Sequence, residues 1–157
     1  MIQTFIRENY GEIPEKQLRQ TAILRHGRLS RKRLARSIDH MRGDPFGFVS
    51  FYVFALKGKK VVGFAYFCQD EGDAARWYYG DLVVHKKCRR GGVATAIVEE
   101  GIRALREKQA ATLFTYIDHG NEASIAFHEK LSFIRSERQE PINGFLMDGR
   151  VVYERTL

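Results

Sequence analysis

Cysteine and proline are scarce: the 157-residue chain has two of the first and three of the second. Cys68 and Cys88 cannot build a disulfide framework, and neither has a second cysteine or a histidine pair at zinc-ligand spacing. That excludes a disulfide-stapled scaffold and a zinc module, and it predicts two reduced thiols and no metal. With 44% hydrophobic residues, including 11 Phe and 7 Tyr, the composition also excludes a disordered or low-complexity chain. No apolar run approaches the length of a membrane span. Met1 to Tyr10 contain Arg7 and Glu8 and fall short of the apolar stretch of a secretory leader, so a cytoplasmic protein with no membrane partner is expected.

Acidic residues are nearly missing from one segment. The net charge is +7, and residues 19–42 hold Arg19, Arg25, Arg28, Arg31, Lys32, Arg33, Arg36 and Arg42 against Asp39 alone. The rest of the chain is therefore neutral, and the surplus belongs to one place. The length argues for a single domain, residues 1–157, able to remove roughly 70% of its unfolded surface from water.

The periods alternate between strand and helix. Ile2 to Arg7 reads as a short strand, and Ile13 to His40 as one or two helices interrupted near Gly27. Phe48 to Leu56 and Val61 to Cys68 are aromatic and β-branched and flank Lys57-Gly58-Lys59-Lys60, a hairpin signal. Trp77 to Val84 is a third strand. From Gly92 the period lengthens: Val93, Ile97, Gly101, Ile102 and Leu105 fall on one helical face, ending near Gln109. Thr112 to Ile117 returns to strand, and Asn121 is placed to cap a helix running to about Leu131. Phe133 to Arg138 and Phe145 to Glu154 close the chain as strands, with Asp148-Gly149 as a tight turn or a bulge. Strand, helix, strand, helix after Trp77 is a parallel unit with a crossover. The order predicts an α+β (mixed α/β) fold with helices on both faces of a mixed sheet.

One stretch carries chemistry: Leu82-Val83-Val84-His85-Lys86-Lys87-Cys88-Arg89-Arg90-Gly91-Gly92-Val93-Ala94, a strand passing through a basic, glycine-containing loop into a helix. Unpaired N–H groups in a first helical turn and the positive end of the helix dipole form an anion site. Gly91, Gly92 and Ala94 keep bulk off that backbone, and Lys86, Lys87, Arg89 and Arg90 add charge, so a diphosphate suits the loop. The sequence contains neither G-x-x-x-x-G-K-[ST] nor G-x-G-x-x-G, the usual nucleotide fingerprints. It also lacks the G-x-S-x-G elbow and a Cys–His–Asn arrangement around Cys88, which excludes covalent hydrolase chemistry.

The loop resembles the acetyl-coenzyme A signature of the GNAT acetyltransferase superfamily, R/Q-x-x-G-x-G/A, through Arg89, Gly92 and Ala94. Downstream, Asn121, Ser124, His128, Ser132 and Phe133 stand at the positions of N-x-x-A/S-x-x-x-Y-x-x-x-G-F, so the resemblance covers about Tyr78 to Phe133. His128 replaces the usual Tyr and Ser132 the usual Gly. The Asn-Glu-Ala-Ser and Phe-His-Glu-Lys wording is similar to the phosphinothricin acetyltransferase-like subgroup.

The resemblance implies a three-layer fold with about seven strands and direct transfer of an acetyl group from acetyl-coenzyme A to an amine, without a metal or an acyl-enzyme. It implies that the backbone of Leu82, Val83 and Val84 pairs with the pantetheine arm. Arg89, Arg90, Gly91, Gly92, Val93 and Ala94 would hold the diphosphate. Asn121 would bind pantetheine, Ser124 would offer a hydroxyl or close packing, and a strand N–H, that of Val84, would polarise the thioester carbonyl.

An ammonium must lose its proton before attack, and a departing thiolate gains from receiving one. Asp81, the carboxylate nearest the expected thioester, is the candidate base, with a loop or core hydrogen bond as the alternative. His128, two helical turns beyond Asn121, is the candidate acid, with simple packing against the cofactor as the alternative.

Residues 19–42 correspond to helices that cover the acceptor site in the family. They either recruit an anionic or carboxylate-bearing amine or form a solvated face around a buried stripe of Leu24, Leu29, Leu34 and Ile38. The expected partners are acetyl-coenzyme A and a small amine, amino-acid-like or other. Rival functions are a non-catalytic acyl-coenzyme A sensor and a protein or peptide acetyltransferase with a nucleic-acid-associated substrate. Direct nucleic-acid binding is disfavoured, since no helix-turn-helix, zinc-finger or RNP pattern is present. A monomer and a homodimer are both compatible with the sequence.

Overall fold

A computed structural model describes residues 1–43, 47–145 and 147–157. The elements are β1 (Ile2–Arg7), α1 (Glu15–His26), α2 (Arg31–Arg42), β2 (Ser50–Lys57), β3 (Lys60–Asp70), β4 (Asp73–Val84), α3 (Val93–Glu107), β5 (Thr112–Asp118), α4 (Glu122–Lys130), β6 (Ile134–Arg135) and β7 (Arg150–Thr156). Short 3-10 turns at Tyr10–Glu12 and Lys86–Cys88 join some of them.

The seven strands make one mixed sheet in the order β1-β2-β3-β4-β5-β7-β6. Only β4 and β5 run parallel, because α3 carries the chain across between them. Every other neighbouring pair is antiparallel. The Lys57 to Lys60 hairpin forms as expected, with Lys57 opposite Lys60 and Gly58 at φ 59°.

Alternation along the strands sorts the core into two layers. Phe51, Val53, Phe67, Trp77 and Tyr79 face α3 and its surroundings, where Ile97, Ile102 and Leu105 are fully buried. Tyr52, Phe54, Phe64 and Tyr66 point the other way, onto Leu18 and Ala22 of α1 and Ile38 and Met41 of α2. Leu24, Leu29 and Leu34 pack at the margin of that second layer, so the anticipated stripe exists and the arginines surround it. Gly101 lets α3 settle against the sheet, since the Phe67 ring occupies the space where a Cβ would stand.

Three boundaries differ from the sequence reading. β4 starts at Asp73, four residues before Trp77, because Arg76 is buried: its guanidinium lies 4.0 Å over the Phe114 ring and 3.6 Å from Asp70. A buried arginine does not read as strand. β6 keeps two residues of the expected Phe133 to Arg138, and β7 begins at Arg150 instead of Phe145. A turn closes ahead of β7, with Arg150 N–H donating to the Met147 carbonyl at 2.8 Å and Gly149 at φ 67°. Asp148-Gly149 is therefore a tight turn. Leu146, within the expected strand, lies outside the described residues. Among the described residues no helix is long and apolar enough to cross a membrane.

Candidate active site

β4 and β5 pair only from Arg76 opposite Thr112 to Tyr78 opposite Phe114. Beyond Tyr78 they separate, while β4 stays bonded to β3 on its other side through Val83 and Val84. The cause is local. The β3/β4 register slips between Phe64 and Tyr66, and Asp81 sits at φ 54°, the left-handed conformation of a bulge residue. Leu82 to Val84 thus present an open edge toward β5, and a cleft of about 300 Å³ opens between the strands, lined by Tyr79, Asp81, Thr115, Ser124 and His128.

That edge leads into the basic loop. Gly92 takes φ 77° at the start of α3, no side chain caps the helix, and the first helical hydrogen bond is Ala96 N–H to Gly92 carbonyl. The N–H groups of Val93, Ala94 and Thr95 precede that bond, so they remain free for an anion. A groove of about 590 Å³ runs from this turn to α4, bounded by Arg89, Arg90, Ala94, Thr95, Phe127 and Lys130. An extended strand-like arm ending in a diphosphate fits these features: backbone edge first, free N–H groups and cations after it. Arg89 folds back, its Nε donating to the Val84 carbonyl at 3.2 Å.

α4 closes the cleft from the other side. Asn121 caps it as expected, its Oδ1 accepting from Ser124 N–H at 3.1 Å. His128 is buried, at 5% exposure. Its Nδ1 bonds the Ser124 carbonyl at 2.6 Å and lies 3.3 Å from the Ser124 hydroxyl, while Nε2 bonds the Tyr79 hydroxyl. Burial lowers the His128 pKa below the ordinary 6.5, partly opposed by the bond to the Ser124 carbonyl. Ser132, which stands where the resembled motif has glycine, adopts φ 61°, the left-handed region that glycine enters at least cost.

Asp81 meets Arg25 of α1 in an ion pair, the two side chains 33% and 23% exposed. The basic segment therefore reaches the site through one residue, whereas Arg28, Arg31, Lys32, Arg33 and Arg36 are exposed around the start of α2. The structure brings Asp81, His128, Ser124 and the β4 edge to one cleft, and the loop residues to the adjoining groove. Sequence reasoning assigned no role to Tyr78, Tyr79, Tyr116, Asp118 or Arg150 and took Arg25 only as one cation of the basic segment; all of these stand around the cleft or bind residues that do. A glycine inside a strand, Gly80, was the available signal, since it marks a close approach.

The acetyltransferase (GNAT) family model matches residues 15–133, and the chain belongs to that family. Mycothiol acetyltransferase of Streptomyces scabiei is 26% identical over 102 residues, covering 65% of this chain and 33% of the relative. N-alpha-acetyltransferase 30 of Schizosaccharomyces pombe is 28% identical over 91 residues, covering 56% of this chain and 60% of the relative. The matches thus take in 33% and 60% of the length of these curated relatives. Among solved structures, the PaiA N-acetyltransferase of Thermoplasma acidophilum in complex with coenzyme A superposes with a TM-score of 0.68 at 12% identity, over 99% of both chains. That likeness shows the fold.

Proposed function

We propose that the protein is an acetyl-coenzyme A-dependent N-acetyltransferase, passing the acetyl group directly to a primary amine of a small molecule within a ternary complex. The observation that carries this reading is the continuity of the open β4 edge, from the cleft at Asp81 through Leu82 to Val84, with the free N–H groups at the start of α3. One extended thioester can satisfy both at once. Family membership and a coenzyme A complex of the same fold support the choice of ligand.

In this reading Leu82, Val83 and Val84 pair with the pantetheine arm, and Arg89 to Ala94 hold the diphosphate. Arg89 leaves the Val84 carbonyl to do so. Asn121 and Ser124 approach the arm from α4, and the Val84 N–H polarises the carbonyl. The amine gives a proton to Asp81, directly or through water, and its nitrogen attacks the thioester carbon. A carbon–nitrogen bond forms and the carbon–sulfur bond breaks; the second proton, shed by the nitrogen as it becomes an amide, passes to Nε2 of His128, while the Tyr79 hydroxyl gives its own proton to the sulfur and recovers one from Nε2. The motif wording around Asn121 and His128 supports a relationship to the phosphinothricin acetyltransferase-like subgroup, and the reading is of a single cytoplasmic domain.

A second reading, acetylation of a peptide amine, is favoured by the exposed cations of α2 and by the N-alpha-acetyltransferase relative. Release of free thiol from acetyl-coenzyme A against panels of amino acids, polyamines, aminoglycosides and peptides decides between them. Saturable coenzyme A binding with no thiol release from any amine would make the protein a sensor and overturn the catalytic reading.

A further inference from the structure

Four charged side chains stand at the mouth of the cleft as two opposite-sign pairs. On the β4 side Asp81 holds Arg25; on the β5/β7 side Asp118 and Arg150 meet at 2.9 Å, as direct cross-strand neighbours. Tyr78 lines the same cleft as Asp81, Asp118 and Arg150. Tyr78 and Gly80 share a face of β4, and the missing Cβ of Gly80 lets the phenol lie along the strand with its hydroxyl in that space, one residue from Asp81. This hydroxyl has no hydrogen bond among the described residues. Burial pushes the Tyr78 phenol well above its usual pKa, assisted by Cys68 and Tyr116, while the charges of Arg150 and Arg25 pull the other way. Both guanidiniums therefore act on a hydroxyl that faces the cleft and still has a proton to donate.

We propose that this cleft selects an acceptor carrying a carboxylate beside its amine, an α-amino acid, with Arg25, Arg150 and Tyr78 taking the carboxylate and Asp81 the ammonium. This rests on the acetyltransferase reading and names its substrate class. The reason is pairing. A simple amine reaching Asp81 displaces Arg25 and leaves a guanidinium of 23% exposure without a counter-ion. A simple anion drawn to Arg25 strands Asp81 in the same way. A zwitterion exchanges partners instead: its ammonium replaces Arg25 at Asp81, its carboxylate receives Arg25, and no charge is left alone. The free Tyr78 hydroxyl then adds a donor to the same carboxylate. The volume of about 300 Å³ suits a molecule of that size.

The test compares each proteinogenic α-amino acid with its own α-carboxamide, in binding to the protein–coenzyme A complex by calorimetry and in thiol release. The acid should bind about ten-fold or more tightly than the amide for the preferred side chain, the size of one charge-assisted hydrogen bond. Arg25→Gln should bring that ratio near one, Arg25→Lys should restore part of it, and Tyr78→Phe should reduce it by a smaller factor. Arg150→Gln supplies an independent variant should Arg25→Gln not fold. Equal binding of acids and amides, or no binding of either, overturns the proposal. Acid-selective binding without thiol release supports it and overturns only the catalytic reading.

Discussion

The Tyr79 hydroxyl donates to Nε2 of His128, and the far side of the ring fixes that direction. Nδ1 bonds a carbonyl oxygen, that of Ser124, which can only accept. The proton therefore rests on Nδ1, and Nε2 is left to receive. A histidine at a position usually held by tyrosine is thus part of a three-membered chain, running from Tyr79 through the imidazole to the backbone of α4.

Removing either side chain of that chain should cost stability. His128→Phe leaves the buried Tyr79 hydroxyl unpaired, and an unfolding free energy lower by about 1–3 kcal/mol is expected in urea titration. Tyr79→Phe should cost a similar amount, and the double variant less than the sum of the two. Full additivity would show that the bond contributes nothing.

The same residue sets a pH dependence. Burial holds the folded His128 pKa below 6.5, so well above pH 6.5 the ring is uncharged folded or unfolded and the effect is absent. As pH falls below 6.5 the unfolded chain takes up the proton first, and stability declines until the folded pKa is passed. His26 is lowered too, by burial and then by Arg25, and acts in the same direction. Melting temperatures between pH 5 and 7.5 should fall on the acid side, and the slope should be shallower in His128→Phe. Identical slopes would assign it to His26 and other groups.

Gly80→Ala puts a methyl group where the Tyr78 hydroxyl lies. Overpacking of this kind costs about 1–3 kcal/mol. Activity should drop with it, because the phenol is driven from the cleft. Combining it with Tyr78→Ala should relieve the clash, giving a strongly non-additive cycle; additivity would place the phenol elsewhere in solution.

Gly92→Ala forces an L side chain to φ 77° at the entrance to α3, at a cost of about 1–2 kcal/mol. Any relaxation tilts the free N–H groups, so the KM for acetyl-coenzyme A should rise while the KM for the amine changes little. An unchanged coenzyme A affinity would remove this turn from the diphosphate site.

Asp81→Asn should lower kcat/KM and flatten its rise with pH, since the amide cannot accept the amine's proton. Retention of the wild-type profile would leave Asp81 only its ion pair with Arg25.

Periodicity made the layers legible. Val93, Ile97, Gly101, Ile102 and Leu105 were readable as a buried face and form one, and Asn121 was readable as a cap. The turn into α3 was legible for a different reason, since Arg89 to Ala94 are contiguous in the chain. The cleft was less so, because its parts come from α1, β4, β5, α4 and β7. Nothing local joins Arg25 to Asp81, 56 residues away, or Tyr79 to His128, 49 residues away. Arg76 hid the start of β4, because its burial depends on the Phe114 ring of another strand.

Gln139 has a consequence for how copies of this chain meet. Its carboxamide accepts from Val152 N–H at 2.9 Å and donates to the Val152 carbonyl at 3.2 Å, imitating a residue of a neighbouring strand just where the short β6 has ended. The backbone groups that β7 would offer to a foreign strand there are already engaged. A side chain thus blunts that margin of the sheet against edge-to-edge aggregation, sparing the protein a longer final strand.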